Sequence, residues 1–372
     1  MTAPEATPGR GAVSHGSLRL AEAEQIAEVP GHWRAYVWQG TVWQRLLRAY
    51  GISAWFVNVY GADDRLVAYA LVQELSAGGW ARYWSGRATR SAAGAARIRT
   101  LRVLHGPVVG DPAETEAVHQ AFATYLQGRA ARWNCAEIVV KPPHYPDSQI
   151  GDRLAAIYGA SQFRQTRAYT FVVPAQRPLD DLRQRLAAEK RTKLNRAARE
   201  GIQVVRATDE HDVERYWKIR SETMRRGRQF EVPLHHYLDT WRALRPSGAM
   251  EIFIAEREGE DLAAQILYLS RLDVELVGSA TADVNIRRSL PGNDALQWAV
   301  IEWAHDNGYR HVDYVGADPD TGDAKRREIH RFKKSWGGEL IEYPQFVWRR
   351  PIVHWLYRIA DRASGHLTRP TR

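Results

Sequence analysis

A single cysteine, Cys135, stands in 372 residues, which excludes an intramolecular disulfide framework and a thiolate-rich metal site. It lies in WNCAEIVV, just before an apolar run, so a buried, inert thiol is expected there. No stretch approaches the ~18 consecutive apolar residues of a membrane-spanning helix. The first seventeen residues lack the apolar centre of a secretory signal. They read as a disordered leader, and the expected location is the cytoplasm. The usual catalytic signatures are missing too: there is no G-x-S-x-G elbow, no P-loop and no H-E-x-x-H. His235 and His236 are adjacent and cannot share a metal from one face, and a turn separates His305 from His311. No metal and no cofactor are expected.

Acidic residues are in deficit, 43 against 52 Lys and Arg, for a net charge of +9. Such a surface favours polyanions without choosing among nucleic acid, phosphorylated ligands and anionic lipid. Fourteen Trp and sixteen Tyr suit either broad binding surfaces or large cores. The length corresponds to two or three domains at roughly 100–200 residues each.

The chain repeats an order of elements. AWFVNVYGADDRLVAYALVQEL, residues 54–75, reads as strand, turn, strand, and MEIFIAEREGEDLAAQILYLS, residues 250–270, reads the same way. Strand-like material follows each hairpin, ARYWSGRA in one copy and VELVGSATA in the other. A helix over 114–134 then leads into AEIVVKPP, and one over 293–307 leads into RHVDYVGADP. In the latter, Leu296, Ala299, Val300 and Trp303 share a face. Two copies of hairpin, strand, helix, strand predict two α+β domains of similar fold in tandem.

Between the copies, residues 182–199 predict one helix of about five turns, with Leu182, Leu186 and Ala197 inward and Gly201 as its stop. It carries seven Lys or Arg and one Glu, net +6. It is either a solvated basic face or a phosphate-tracking surface, in which Lys190, Arg191, Lys193, Arg196 and Arg199 would make the contacts. The tail RRPIVHWLYRIADRASGH predicts an amphipathic helix that either packs on the protein or lies on an anionic membrane. Three loops remain. HGPVVGD redirects the chain at a strand end. RRSLPGNDAL opens a helix, either as an anion site or as a turn capped by Asn293 or Asp294. IHRFKKSWGGEL places Phe332, Lys333 and Lys334 before a Gly-Gly turn.

Together and in this order, these segments resemble the FemABX family of peptidoglycan-bridge aminoacyltransferases. The similar stretches include VWQGTVWQRLLRAYG, HGPVV, IVVKPP, the central block AYTFVVPAQRPLDDLRQRLAAEKRTKLNRAAREGIQVV, ETMRRGRQF, SLPGNDALQWAVIEWAHDNGYRHVDYVGADP and RFKKSWGGEL, over most of residues 36–340. The resemblance implies two tandem GNAT-like acyltransferase domains, 18–170 with 341–372 and 171–340, the C-terminal segment returning to the first. It implies transfer of an aminoacyl group from aminoacyl-tRNA to an amine of a peptidoglycan precursor or peptide-like metabolite. Lys333 matches the family's site lysine and Phe332 its aromatic neighbour. Thr223, Arg225 and Arg226 fall where the family binds the acceptor, with Arg48 a candidate in the first domain. Lys141 stands where relatives often carry an acidic residue, so no general base is assigned. There is also no room for a coiled-coil arm between 208 and 250.

An aminoacyl ester is already activated, so such a site needs no nucleophile. It can position the amine and stabilise the oxyanion. The alternative keeps the fold and uses acyl-CoA to acylate an amino sugar or small amine. RRSLPGNDAL has the basic start of a pyrophosphate loop but only one of its glycines. A third reading is a non-enzymatic nucleic-acid-binding module, for which no recognition motif is present.

Overall fold

A computed structural model describes residues 13–27, 36–76, 99–132, 135–143, 148–319 and 322–351. The chain divides into two units, Met1–Arg167 with Tyr343–Arg372 and Ala168–Glu342. The first unit contains β1 (Val13–His15), β2 (Leu18–Ala23), α1 (Thr41–Ala49), β3 (Ser53–Tyr60), β4 (Leu66–Ser76), β5 (Arg99–Leu104), β6 (Val108–Val109), α2 (Thr115–Arg132), β7 (Cys135–Lys141) and α3 (Ser148–Ala160). Strand β8 (Arg164–Pro174) carries the chain into the second unit. There follow α4 (Leu179–Arg185), α5 (Ala188–Arg199), β9 (Gln203–Arg206), α6 (Glu210–Arg226), α7 (Leu234–Leu244), β10 (Met250–Arg257), β11 (Glu260–Leu269), β12 (Asp273–Thr281), α8 (Asp283–Arg287), α9 (Gly292–Asp306), β13 (His311–Asp313) and α10 (Ala324–Lys334). Strand β14 (Glu339–Arg349) returns the chain to the first unit.

Both hairpins form. β3 and β4 pair antiparallel, as do β10 and β11. At the tip of the second hairpin Glu258 and Gly259 take φ of 52° and 78°, the paired left-handed conformation of a tight two-residue turn. In the first unit β2, β3, β4 and β5 are successively antiparallel, β5 is parallel to β7 across helix α2, and β14 closes antiparallel on β7. In the second, β9, β10, β11 and β12 are successively antiparallel, β12 is parallel to β13 across helix α9, and β8 closes antiparallel on β13. The two units thus follow one pairing scheme. Each has its own core: Val118, Phe122 and Leu126 of α2 pack with β3, β4 and β7, and Leu296, Val300 and Ala304 of α9 pack with β10, β11 and β13.

Several sequence expectations differ from the structure. Strand β1 (Val13–His15) falls within residues 1–17, where a disordered leader is expected. The single helix expected over 182–199 is two, α4 and α5. Leu186 between them is extended, at φ −63° and ψ 144°, and the Ala187 amide donates to Ser335 O at 3.0 Å. The break lets Leu182 and Leu186 both enter the core before α5 starts in a new direction. Cys135 is buried, with Sγ 3.0 Å from Glu137 O and 3.3 Å from Arg99 O, either of which accepts its one proton, and burial pushes the thiol pKa up. ARYWSGRA, residues 1–12 and the amphipathic tail after Pro351 lie outside the described residues. Among the described residues no helix is long and apolar enough to cross a membrane.

Candidate active site

The parallel pair differs between the units. β5 and β7 stay paired from Arg99 to Leu104, whereas β12 and β13 pair only at 273–275 with 311–313. β13 then ends and β12 continues to Thr281. The chain leaving β13 stays with β8 instead: Tyr314 N–H donates to Phe171 O at 2.9 Å and Ala317 N–H to Tyr169 O at 2.6 Å. The two parallel strands therefore part, and residues 276–281 have no strand partner on that side among the described residues.

At the point of parting the backbone is unusual. Val315 has φ 44° and Gly316 φ 78°. Left-handed backbone is costly for a β-branched residue, and here it is held from two sides. Val315 N–H donates to Asp313 Oδ1 at 2.7 Å, and the carbonyls of Val315 and Gly316 accept from Lys333 Nζ, the first at 2.8 Å. Thr170 Oγ1 also donates to Asp313 Oδ1. Burial draws the Lys333 ammonium down to about 8 against the pull of Asp313. It raises the Asp313 carboxyl pKa, against its hydrogen bonds from Thr170 and Val315. With two of three ammonium protons on carbonyls, Lys333 keeps one donor for a ligand. A desolvated cation at a strand opening suits an oxygen that gains negative charge.

Beside it lies a buried ion pair. Lys190 and Asp294 are 6% and 7% exposed, with Nζ 2.6 Å from Oδ1. The ammonium also sits 4.6 Å from the Phe332 ring centroid and 5.0 Å from that of Trp336, a cation–π arrangement. Of the cations that the sequence offers for phosphate contact, Lys190 is thus turned inward and does not reach the surface. The loop before α9 also differs from expectation. Neither Asn293 nor Asp294 caps the helix, because Pro291 occupies the cap and Asp294 is taken by Lys190. The Gly292 amide, one of the donors an anion site there would use, is already bonded to Asn285 Oδ1 at 3.1 Å.

Of the other residues singled out from sequence, Thr223, Arg225 and Arg226 come together at the far end of the open strand. Thr223 Oγ1 accepts from Thr281 N–H at 2.8 Å. Arg225 and Arg226 both pair with Asp283, and Arg226 also donates to Thr281 O. They staple α6 to the end of β12, and only Arg225, 70% exposed in its side chain, projects well into solvent. Arg48 belongs to the first unit, where it donates to Ala54 O and pairs with Glu24. On α5, Arg191 donates to the carbonyls of Gln184 and Leu186, Lys193 pairs with Glu189, and Arg196 pairs with Glu200 and donates to Ser289 O. Arg199 is exposed with no side-chain partner among the described residues.

Asp313, Thr170 and the Val315–Gly316 bend were not anticipated. Their sequence signal was the Asp before Gly in HVDYVGADP, legible only once β13 is known to stop there. His305 Nδ1 bonds Ala175 O and His311 Nδ1 bonds Asp273; these are contacts within the fold.

Residues 183–334 match the family model of the acetyltransferase (GNAT) domain. No curated protein matches the chain. Among solved structures the fold is similar to that of FemX, with a TM-score of 0.68 at 15% identity, over 88% of this chain and 95% of that one. A conserved protein of unknown function from Bacteroides thetaiotaomicron VPI-5482 superposes with a TM-score of 0.51 at 12% identity, over 82% of this chain and 87% of that one. At these identities the likeness is one of fold: a mixed α/β architecture similar to FemX, with a GNAT domain in its second unit.

Proposed function

We propose that the protein is an acyltransferase that moves an aminoacyl group from aminoacyl-tRNA to an amine of a peptidoglycan precursor or peptide-like metabolite, in the cytoplasm. On this reading both units are GNAT-like domains, 18–170 with 341–372 and 171–340, a division supported by their common pairing scheme. The observation that carries the reading is the Lys333 ammonium, seated on two carbonyls where β12 and β13 part. The acceptor amine attacks the ester carbonyl, a C–N bond forms, and the carbonyl oxygen becomes an oxyanion beside Lys333. The ester C–O bond then breaks, and the amine's proton ends on the ribose oxygen that leaves. Phe332 lines the same helix end, and Arg225 is the exposed cation for a phosphorylated acceptor.

Incubation with total tRNA charged with labelled amino acids, plus cell extract, tests the assignment. RNase-sensitive transfer supports it, and RNase-insensitive transfer dependent on acyl-CoA replaces it. The match to an acetyltransferase model favours that second reading, an acyl-CoA-dependent N-acyltransferase on an amino sugar or small amine. The occupied Gly292 amide weighs against it, because a pyrophosphate needs free amides at that turn.

A further inference from the structure

Helix α10 ends at Lys333 and Lys334, and none of its residues is buried. Its sequence, AKRREIHRFKK, has six Lys or Arg and one Glu. At 100° per residue, His330, Phe332 and Lys333 gather on the side facing the fold. There His330 meets the Phe171 ring at 4.9 Å and Phe332 meets Trp336. Arg327, Arg331 and Lys334 recur at i, i+4 and i+7 on the other side, whereas Lys325, seven residues before Phe332, is exposed in the first turn on the side of Phe332. Arg331 and Lys334 of that stripe have no carboxylate partner among the described residues, and Arg327 donates to Gly322 O at 2.6 Å. The cations of α5, by contrast, are mostly engaged: Lys190 is buried, Arg191 satisfies carbonyls, and Lys193 and Arg196 pair within their own helix. The segment with the greatest charge in the sequence has little left for a ligand, and the unmatched charge lies on α10.

We propose that the outward face of α10, with Arg327, Arg331 and Lys334, holds the phosphate backbone of the donor tRNA's acceptor stem. This rests on the aminoacyl-tRNA reading and names the surface that serves it. The geometry is consistent with the chemistry: an ester beside Lys333 brings the RNA 3′ end to the C-terminal end of this helix, so the following phosphates pass along the preceding turns. A stripe at helical spacing tracks a backbone without reading bases, as phosphate contacts do. Charge complementarity selects RNA over an apolar partner, since only Ile329 among the exposed residues of the helix is a large hydrophobe.

The test compares wild type, the triple variant Arg327→Gln/Arg331→Gln/Lys334→Gln, and the control Arg191→Gln/Lys193→Gln/Arg199→Gln. Binding of deacylated tRNA is followed by fluorescence anisotropy from 50 to 300 mM salt, and transfer is measured from aminoacyl-tRNA and from a 3′-aminoacyl adenosine. The α10 variant should bind tRNA roughly 10- to 100-fold more weakly at 150 mM, with a salt slope reduced by about 2. Its transfer from the adenosine donor should stay within about threefold, and its melting temperature should match wild type, because exposed substitutions rarely move stability by more than ~0.5 kcal/mol. The α5 control should bind like wild type. If wild type binds tRNA and the α10 variant is indistinguishable from it, the surface assignment is wrong. If the α5 control is the weaker binder, the surface is α5. If wild type neither binds tRNA nor uses it as a donor, the functional reading itself fails and this surface with it.

Discussion

Lys333→Met should slow transfer while leaving the fold as stable as before, or more so. A tenfold change in proton affinity corresponds to ~1.4 kcal/mol. The fall of the Lys333 pKa from 10.5 to about 8 therefore bounds the cost of keeping this ammonium at ~3 kcal/mol, and water reaching the half-buried head reduces it to ~1–2 kcal/mol. The sign follows from proton binding. Between pH 8 and 10.5 the unfolded chain holds a proton that the folded chain has lost, so stability rises with pH across that window. The cost is fully present below pH 8, and Met removes it. The carbonyls that Lys333 leaves behind belong to the exposed residues Val315 and Gly316, where water replaces the ammonium. Removing one oxyanion donor costs on the order of 10²–10³ in rate.

Urea melts at pH 7 and single-turnover transfer give the two numbers. A gain of 0–2 kcal/mol with a 10²-fold slower rate matches the reasoning. A loss of 2 kcal/mol or more would mean that the two carbonyl contacts of Lys333 outweigh the cost of its desolvation, and transfer within threefold of wild type would remove it from the chemistry. In the wild type, kcat/KM should decline as pH rises through about 8 and the ammonium is lost. Lys333→Arg, which stays protonated, should flatten that decline in whatever activity it retains.

Val315→Gly relieves left-handed strain at φ 44°; stability should hold or rise by up to ~1 kcal/mol, while transfer falls severalfold as the seat of Lys333 loosens, and an unchanged rate would argue against a functional bend. Lys190→Met should cost ~3–5 kcal/mol because it strands a buried Asp294, and Lys190→Met/Asp294→Leu should recover much of that loss in urea melts; additive losses would mean the pair is not coupled. His119 is wholly buried against the Tyr158 hydroxyl, and burial lowers its pKa to about 3. As pH falls from 6.5 toward 3 the unfolded chain takes up a proton that the folded chain refuses, so stability should drop by up to ~1.4 kcal/mol per pH unit; His119→Gln should make the acid slope shallower, which melts at pH 7, 6 and 5 would check.

Local periodicity exposed most of the fold. The hairpins at 54–75 and 250–270 and helices α2 and α9 follow from alternation, turn residues and apolar stripes, which depend only on neighbours in sequence. The break at Leu186 was hidden because AAEKRTKL continues a helical pattern. What interrupts it is Ser335, about 150 positions away, accepting the Ala187 amide. The same distance effect obscured the site. Lys190 looks like its charged neighbours in sequence, and only Asp294, Phe332 and Trp336 arriving from other elements turn it inward. Lys333 was singled out by resemblance, whereas Asp313 and Thr170 carry no motif and gain meaning only from the point at which two strands part.

That parting explains why the candidate site falls in the second unit although both units share a pairing scheme. In the first, CAEIVVK offers seven residues of strand before Pro142, and β7 follows β5 along its whole length. A parallel pair closed by a full ladder leaves no backbone amide or carbonyl free for a ligand. In the second, HVD is only three residues long, and Val315 and Gly316 take left-handed backbone directly after it. Three pairs hold β13 to β12, and the chain then follows β8. The opening is thus written into a short strand and a strained bend, and the residues that stabilise the bend are Asp313 from within and Lys333 from α10. If the bend were merely tolerated, a cation drawn down by burial would be a poor choice to hold it, since a neutral donor could serve the same carbonyls without the cost of a desolvated charge. On the proposed reading, the ammonium is there for the one proton it does not spend on the backbone.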